Sequence, residues 1–158
     1  AIARHFGPYK LSLHSGSDKF SIYPAAMRQA QGLVHLKTAG TSYLEALRTI
    51  AQLNENLFRD IYRFARSCYE QDRHSYHVSA QLSRAPQLEK TTNMTALLEQ
   101  FDAREILHVT FGSVLRAQAA DGSPQFFDRL IKVLREHPEA YAHNLEHHFI
   151  KHLTPFTQ

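Results

Sequence analysis

Two short polar loops carry the residue types in this chain that are best suited to chemistry. The first loop follows an alternating apolar and polar run and contains His14, Ser15, Gly16, Ser17, Asp18 and Lys19. A neutral imidazole is a common ligand for divalent transition metals. Two hydroxyls, a carboxylate and an ammonium suit a polyhydroxylated, anionic substrate. An ordinary turn with a histidine at the end of a strand would show the same residues, so spacing alone leaves both interpretations open.

The second loop joins a short apolar run to a helix and contains Lys37, Thr38, Ala39, Gly40, Thr41 and Ser42. Free backbone N–H groups and the helix dipole make such a helix N-terminus a ready anion site. Gly40 would let a ligand approach the backbone closely, and Lys37 would add a positive charge. Ordinary capping by Thr41 or Ser42 is the alternative interpretation. The glycine and Lys-Ser/Thr spacing of a phosphate-binding P-loop is absent.

Eleven histidines are many for this length, and four of them gather near the end of the chain: His143, His147, His148 and His152. On a helix, His143 and His147 lie one turn apart on a more polar face, and so do His148 and His152 on another face, which is a workable spacing for two metal ligands. No glutamate follows the first histidine as in zinc proteases. His148 and His152 share a face with apolar residues, so we expect them to pack rather than to bind metal. We also expect His35 and Cys68 to be packed.

The loops are positioned by a strand–helix–strand pattern in the first part of the chain. Runs 9–14 and 33–37 have strand character, and a helix over 19–31 fits between them, with Pro24 in its first turn and Gly32 after its end. Two such strands form a parallel βαβ unit, which must pair with further strands and be covered on both faces. The rest of the chain reads as amphipathic helices.

Helix boundaries can be read from a few polar residues. Ser42 and Glu45 have the spacing of a capping box, and the sequence Asn54-Glu55-Asn56 predicts a break in a long helix. Asp102 is placed to cap a later helix, and Pro124 to begin another.

Composition excludes several classes of protein. The 158 residues, 43% hydrophobic and 21% charged, fit one globular domain. The net charge of +3 comes from scattered basic residues, so we expect no nucleic-acid partner. No apolar run approaches the roughly 18 residues of a membrane span. A single cysteine and no visible secretion leader favour the cytoplasm. The chain opens with Ala1 rather than Met, so we expect a piece of a longer protein.

Two long motifs resemble a known family. The runs HSGSDKFSIYP (residues 14–24) and HLKTAGTSYLEALR (residues 35–48) are similar to the C-terminal part of the tagaturonate epimerase family. The resemblance implies an α/β fragment: the last two βα units of a TIM-type barrel in residues 1–52, then a C-terminal helical region in residues 53–158. It also implies a divalent metal cofactor, with His14 as one ligand. The catalytic acid and base would lie mostly outside this chain.

The substrates implied by the family are the ketouronates D-tagaturonate and D-fructuronate, which differ at a carbinol carbon β to the ketone. The hydrogen on that carbon is not acidic, so retro-aldol cleavage, rotation and re-addition is the route we expect. Both loops would bind substrate through Ser15, Gly16, Ser17, Asp18, Lys19, Lys37, Thr38, Gly40, Thr41 and Ser42.

Two alternatives remain: a helical binding or assembly domain without catalysis, and another metal-dependent sugar isomerase or aldolase. A homo-oligomer is possible on any of these interpretations, and we expect the isolated chain to be inactive.

Overall fold

The computed structural model describes residues 5–7, 9–13, 20–37, 41–90 and 93–157, without the side chains of Thr41 and Lys90. The chain forms two compact units. Ala1–Thr41 and Leu145–Gln158 form the first, called here the strand unit, and Ser42–Asn144 form the second, the helical unit. The division between the compact units falls at residues 41–42, whereas the boundary at residue 52 between barrel units and helical region, implied by the family resemblance, stays a prediction. The division falls there because Leu44, Leu47 and Ile50, which precede residue 52, are buried in the helical core.

The strand unit contains two short parallel strands, β1 (Leu11–Leu13) and β2 (Val34–Leu36). They pair in register, with Leu11 opposite Val34 and Leu13 opposite Leu36. A 3-10 turn (Phe20–Ile22) and helix α1 (Tyr23–Ala30) lie between them in the chain. The predicted βαβ unit is therefore confirmed, although each strand is shorter than its sequence run.

Local sequence explains both ends of α1. Pro24 lies in its first turn, where the missing N–H costs no hydrogen bond. Gln31 ends the helix in the left-handed conformation (φ 52°), and Gly32 follows with φ 80°. The Gly32 N–H then donates to the carbonyl of Met27, which is the usual way to close a helix. The predicted stop at Gly32 is confirmed.

The helical unit is built on α2 (Thr41–Leu53) and α3 (Glu55–Asp72). Asn54 separates them, and its side chain accepts a hydrogen bond from the N–H of Leu57 at 3.1 Å. The predicted break in the long helix is therefore confirmed. Five apolar residues along these helices are buried: Leu47, Ile50, Leu57, Ile61 and Ala65. Cys68, which we expected to be packed, is only half-buried and lies outside the core cluster.

Four further α-helices follow among the described residues: α4 (Phe101–Val109), α5 (Phe111–Arg116), α6 (Phe127–Glu136) and α7 (Pro138–Leu153). Short 3-10 helices lie at Arg73–Ser75, Leu88–Lys90, Met94–Leu98 and Thr154–Phe156. Two predicted helix starts are wrong. Gln100 rather than Asp102 caps α4, by accepting from the N–H of Ala103 at 2.7 Å. Pro124 lies in an isolated bridge with Gln118 and precedes α6.

Asp102 instead fixes the segment before α4. Its carboxylate is buried and accepts hydrogen bonds from the Gln81 N–H at 2.8 Å, the Arg84 guanidinium at 2.9–3.0 Å and the Gln100 amide at 3.2 Å. Burial alone would raise the pKa of Asp102, but these donors outweigh burial and lower it. The ionised carboxylate therefore connects the irregular loop that contains Gln81 and Arg84 to α4 through hydrogen bonds.

Replacing Asp102 with Asn should lower the free energy of unfolding by about 2 kcal/mol at pH 7, because charge-assisted hydrogen bonds are lost. The folded pKa of Asp102 lies below its unfolded value. The contribution of Asp102 is therefore complete above the unfolded pKa and disappears as the pH falls through the folded pKa. Urea unfolding of both proteins at several pH values measures the difference.

A suitable control is Asp128→Asn, since Asp128 is exposed in the first turn of α6 and should contribute only about 0.5 kcal/mol. If the loss of unfolding free energy in Asp102→Asn stayed the same at acidic pH, the charge of Asp102 would have no role in stability.

Candidate functional site

The two strands end side by side, at the edge where the predicted site loops begin. Leu13 and Leu36 are opposite each other, and the Lys37 N–H donates to the Leu13 carbonyl at 2.9 Å, which is the last ladder bond among the described residues. In parallel α/β folds, ligands bind at the carboxyl ends of the strands. The described part of the sheet therefore presents two adjacent strand ends at one edge.

Most of the predicted site residues lie outside the described part of the chain. These are His14, Ser15, Gly16, Ser17, Asp18, Lys19, Thr38 and Gly40. Of the rest, Lys37 is exposed directly after β2, Thr41 is the first residue of α2, and Ser42 is exposed as its second residue. The structure thus gives a position to Lys37 and to the beginning of α2.

The predicted capping box at the start of α2 is wrong. Ser42 lies inside the helix, as its second residue, rather than before it. Glu45 is buried and accepts from Arg48 Nε at 2.8 Å, and Arg48 also reaches Glu99 at 2.7 Å. Burial alone would lower the pKa of Arg48, but attraction to both carboxylates raises it. Glu45 therefore helps hold the helical unit together.

Tyr43, in the first turn of α2, has an unusual hydroxyl. The oxygen is buried, and no hydrogen-bond partner for it exists among the described residues. Burial raises the pKa of this phenol, so the hydroxyl stays protonated at neutral pH. Sequence reasoning treated this residue only as part of a motif.

The C-terminal histidines divide into two sets, as their helical spacing predicted. His143 and His147 are exposed, whereas His148 and His152 are buried in the strand unit. His152 Nε2 lies 2.8 Å from His148 Nε2, and its Nδ1 lies 3.0 Å from the Tyr23 hydroxyl. Packing of His148 and His152 is confirmed. Sequence reasoning missed Tyr23 as their partner, because 129 positions separate it from His152.

His35 does not follow its prediction. It is exposed on β2, with Nδ1 3.1 Å from the Ser12 hydroxyl on β1. The sheet has only two strands in the described chain, so the faces that would pack a mid-strand side chain are open. Within the described ranges, no group of three or more His, Cys, Asp or Glu side chains could hold a metal ion. No described helix is both long and apolar enough to cross a membrane.

Comparison with known proteins assigns the chain to a family. The model of the tagaturonate epimerase family matches residues 1–156. The tagaturonate/fructuronate epimerase of Thermotoga maritima is 47% identical over 154 residues, which are 96% of this chain and 31% of that protein. The native and glycerol-bound crystal structures of the fructuronate-tagaturonate epimerase of Cohnella laeviribosi each superpose with a TM-score of 0.93. The sequence of that epimerase is 39% identical to this chain, and each match covers 99% of this chain and 32% of the chain in the crystal structure.

The chain therefore spans about a third of the length of these relatives. The family match extends over both units, including the helical part for which the sequence offered no independent motif. Since the family model covers nearly every residue and the relatives agree with it, the chain belongs to the tagaturonate epimerase family.

Proposed function

We propose that this chain is the C-terminal third of an enzyme that interconverts D-tagaturonate and D-fructuronate. The observation that carries the proposal is the 47% identity to the Thermotoga maritima tagaturonate/fructuronate epimerase across 96% of the chain. Identity at this level, spread over both units, favours the same substrates and the same reaction. The isolated chain would lack most of the active site and would be inactive.

The two-stranded sheet supports a larger barrel around this chain. Parallel sheets are normally covered on both faces and paired at both edges. In the described strand unit, Leu11 and Leu33 are 44% and 49% exposed, and each strand has one neighbour. Further βα units from the longer protein would pair with these strands. On this proposal β1 and β2 are the last strands of a TIM-type barrel.

A divalent metal fits the chemistry of the loop after β1. His14 follows Leu13 directly and would supply one imidazole ligand at the carboxyl end of a strand. The other ligands would come from neighbouring strands of the longer protein. When bound, the metal would act as a Lewis acid that favours charge build-up on the ketone oxygen.

The residues of this chain would bind and orient the ketouronate. Lys37 and the backbone amides at the beginning of α2 would hold the substrate carboxylate. The hydroxyls of Ser15 and Ser17, the carboxylate of Asp18 and the ammonium of Lys19 would contact the polyol and the charged end, with Gly16 allowing close approach. Thr38, Gly40, Thr41 and Ser42 would complete the second loop.

The reaction that fits this substrate is retro-aldol cleavage followed by re-addition. A base takes the proton of the hydroxyl on the carbinol carbon, and the bond between that carbon and the carbon next to the ketone breaks. The aldehyde fragment rotates, the same bond re-forms on its other face, and an acid returns the proton. Holding the carboxylate through this step would keep the aldehyde fragment from leaving.

His14→Ala in the full-length protein should remove metal binding and epimerase activity together. We expect kcat to fall by more than about 100-fold and metal content to fall with it, because a direct ligand is lost. Metal analysis of the purified protein and a ketouronate conversion assay measure the two effects. His143→Ala is the matched control, since His143 is exposed on α7. Full metal content and normal turnover in His14→Ala would refute the assignment.

Lys37→Met should weaken binding of the charged substrate selectively. Losing a charge-assisted hydrogen bond should raise KM for the ketouronate by about 10- to 100-fold. The KM for an uncharged ketose with the same carbon chain should stay within about twofold of its original value. Lys132→Met, at an exposed lysine on α6, serves as the control. Equal effects on the charged and the uncharged substrate would argue against carboxylate binding by Lys37.

A further inference from the structure

A hydrogen-bonded polar pair lies across the two strands of the strand unit. Ser12 on β1 and His35 on β2 are direct partners in the register, and the Ser12 hydroxyl lies 3.1 Å from His35 Nδ1. Both side chains are exposed. Among the described residues, Nε2 of His35 has no hydrogen-bond partner. The contact with Ser12 therefore orients the imidazole through one nitrogen and leaves the other nitrogen available.

Helix α1 covers the opposite face of these strands. Side chains alternate between the two faces of a strand, so Leu13, Val34 and Leu36 lie on one face and Ser12 and His35 on the other. The three apolar side chains are half-buried and α1 contacts β2, whereas both polar side chains are exposed. Helix α1 therefore packs on the apolar face, and the polar pair lies on the face turned away from that helix.

The position of α1 decides where the polar pair would lie in the proposed barrel. In a TIM-type barrel the helices surround the strands, so the strand face turned away from the helices lines the interior. Lys37 follows His35 by two residues, and its N–H still belongs to the ladder, so alternation places both side chains on the same face. Two residues advance a parallel strand by about 6.6 Å. His35 would therefore lie one side-chain layer below Lys37, the residue proposed to hold the substrate carboxylate.

The interior of such a barrel is filled mainly by branched apolar side chains. A polar pair in that interior needs a hydrogen-bond partner for each remaining donor and acceptor, because burying an unpaired polar group is unfavourable. Nε2 of His35 is such a group. A polyol chain whose carboxylate is held at Lys37 would bring hydroxyls to the layer below, where this nitrogen lies.

We propose that His35 is a substrate-binding residue that hydrogen-bonds a hydroxyl of the ketouronate through Nε2, and that Ser12 is its positioning residue. This inference rests on the proposed function and on the barrel that it includes. A neutral imidazole donates from one nitrogen and accepts at the other, so the direction of the bond to Ser12 decides the role of Nε2. A substrate hydroxyl suits either direction, since it both donates and accepts. Contacts at Lys37 and His35 would hold the substrate at two points and fix the direction of its carbon chain.

The competing explanation is that the pair packs beneath another segment of the longer protein and only stabilises it. On that explanation the substrate would not shield the imidazole of His35. Removing the imidazole would then lower the free energy of unfolding without changing the affinity for substrate. Chemical modification and kinetics of variants distinguish the two explanations.

Modification of the full-length protein by diethyl pyrocarbonate tests the contact directly. The reagent acylates accessible imidazole nitrogens, and mass spectrometry of peptides gives the modified fraction at each histidine. We expect a ketouronate at about ten times KM to slow modification of His35 by about fivefold or more, because the occupied site shields Nε2. His77, exposed in the helical unit, is the internal control and should react at an unchanged rate.

Three variants of the full-length protein test the roles of the two residues. His35→Leu removes both nitrogens, His35→Gln places an amide near the position of Nε2, and Ser12→Ala removes only the partner hydroxyl. The controls are His77→Leu and Ser79→Ala, at exposed positions of the helical unit. We measure kcat and KM for the ketouronate, corrected for folded fraction by urea unfolding.

We expect His35→Leu to raise KM by about 10- to 100-fold, because a hydrogen bond to the substrate is lost. A contact made equally in the bound substrate and in the transition state leaves kcat within about threefold of its original value. His35→Gln should restore KM to within about fivefold, since an amide both donates and accepts. Ser12→Ala should raise KM by about three- to tenfold by loosening the ring, and both controls should match the original protein.

Modification of His35 at the same rate with and without ketouronate, or no modification at all, would overturn the contact. Normal KM in folded His35→Leu, with lower stability alone, would show that the pair only stabilises the fold. Normal KM in Ser12→Ala would refute its positioning role. If the original protein does not convert ketouronates, the proposed function itself fails, whereas normal KM in His35→Leu of an active enzyme refutes only this inference.

Discussion

The parallel pairing of β1 with β2 is the interaction on which the proposed site depends. Three residue pairs and the bond from the Lys37 N–H to the Leu13 carbonyl bring two strand ends to one edge. Because parallel strands need a crossover between them, the pairing also requires α1 and its closure at Gln31 and Gly32. Without this register, the loops that follow Leu13 and Leu36 would begin at unrelated positions.

Two paired strands of three residues each are a weak constraint by themselves, since two parallel strands are not stable alone in water. The contact between the Tyr23 hydroxyl and His152 adds a second constraint within the strand unit. It connects positions separated by 129 residues, and it does so with directional contacts rather than with apolar packing alone. Directional contacts fix rotation as well as distance, which a site that must orient ligands requires.

Sequence patterns predicted the local features and the family, but missed contacts between distant residues. The strands, the stop at Gly32 and the break at Asn54 were predictable because adjacent residues determine each of them. Helical spacing showed that His148 and His152 share a face, but it could not predict that His152 contacts Tyr23. The Ser42–Glu45 motif failed for a different reason, since Ser42 lies inside α2 and Glu45 pairs with Arg48, which also reaches Glu99. Most site residues also lie outside the described chain.

The two units differ in how far their own residues supply hydrogen-bond partners and packing neighbours. In the helical unit, Asp102 is paired internally, and Asn144 donates to Thr49 and Gln52 at 2.9 Å. The strand unit exposes large apolar side chains, including Leu33, Ile150 and Leu153 at 49%, 51% and 60%, and the helical unit exposes others, including Phe101 at 54%. Exposed apolar side chains beside an open sheet edge are characteristic of a surface that packs against further polypeptide. We therefore expect the strand unit, whose sheet has two strands among the described residues, to need further strands beside it, as the proposed barrel would provide.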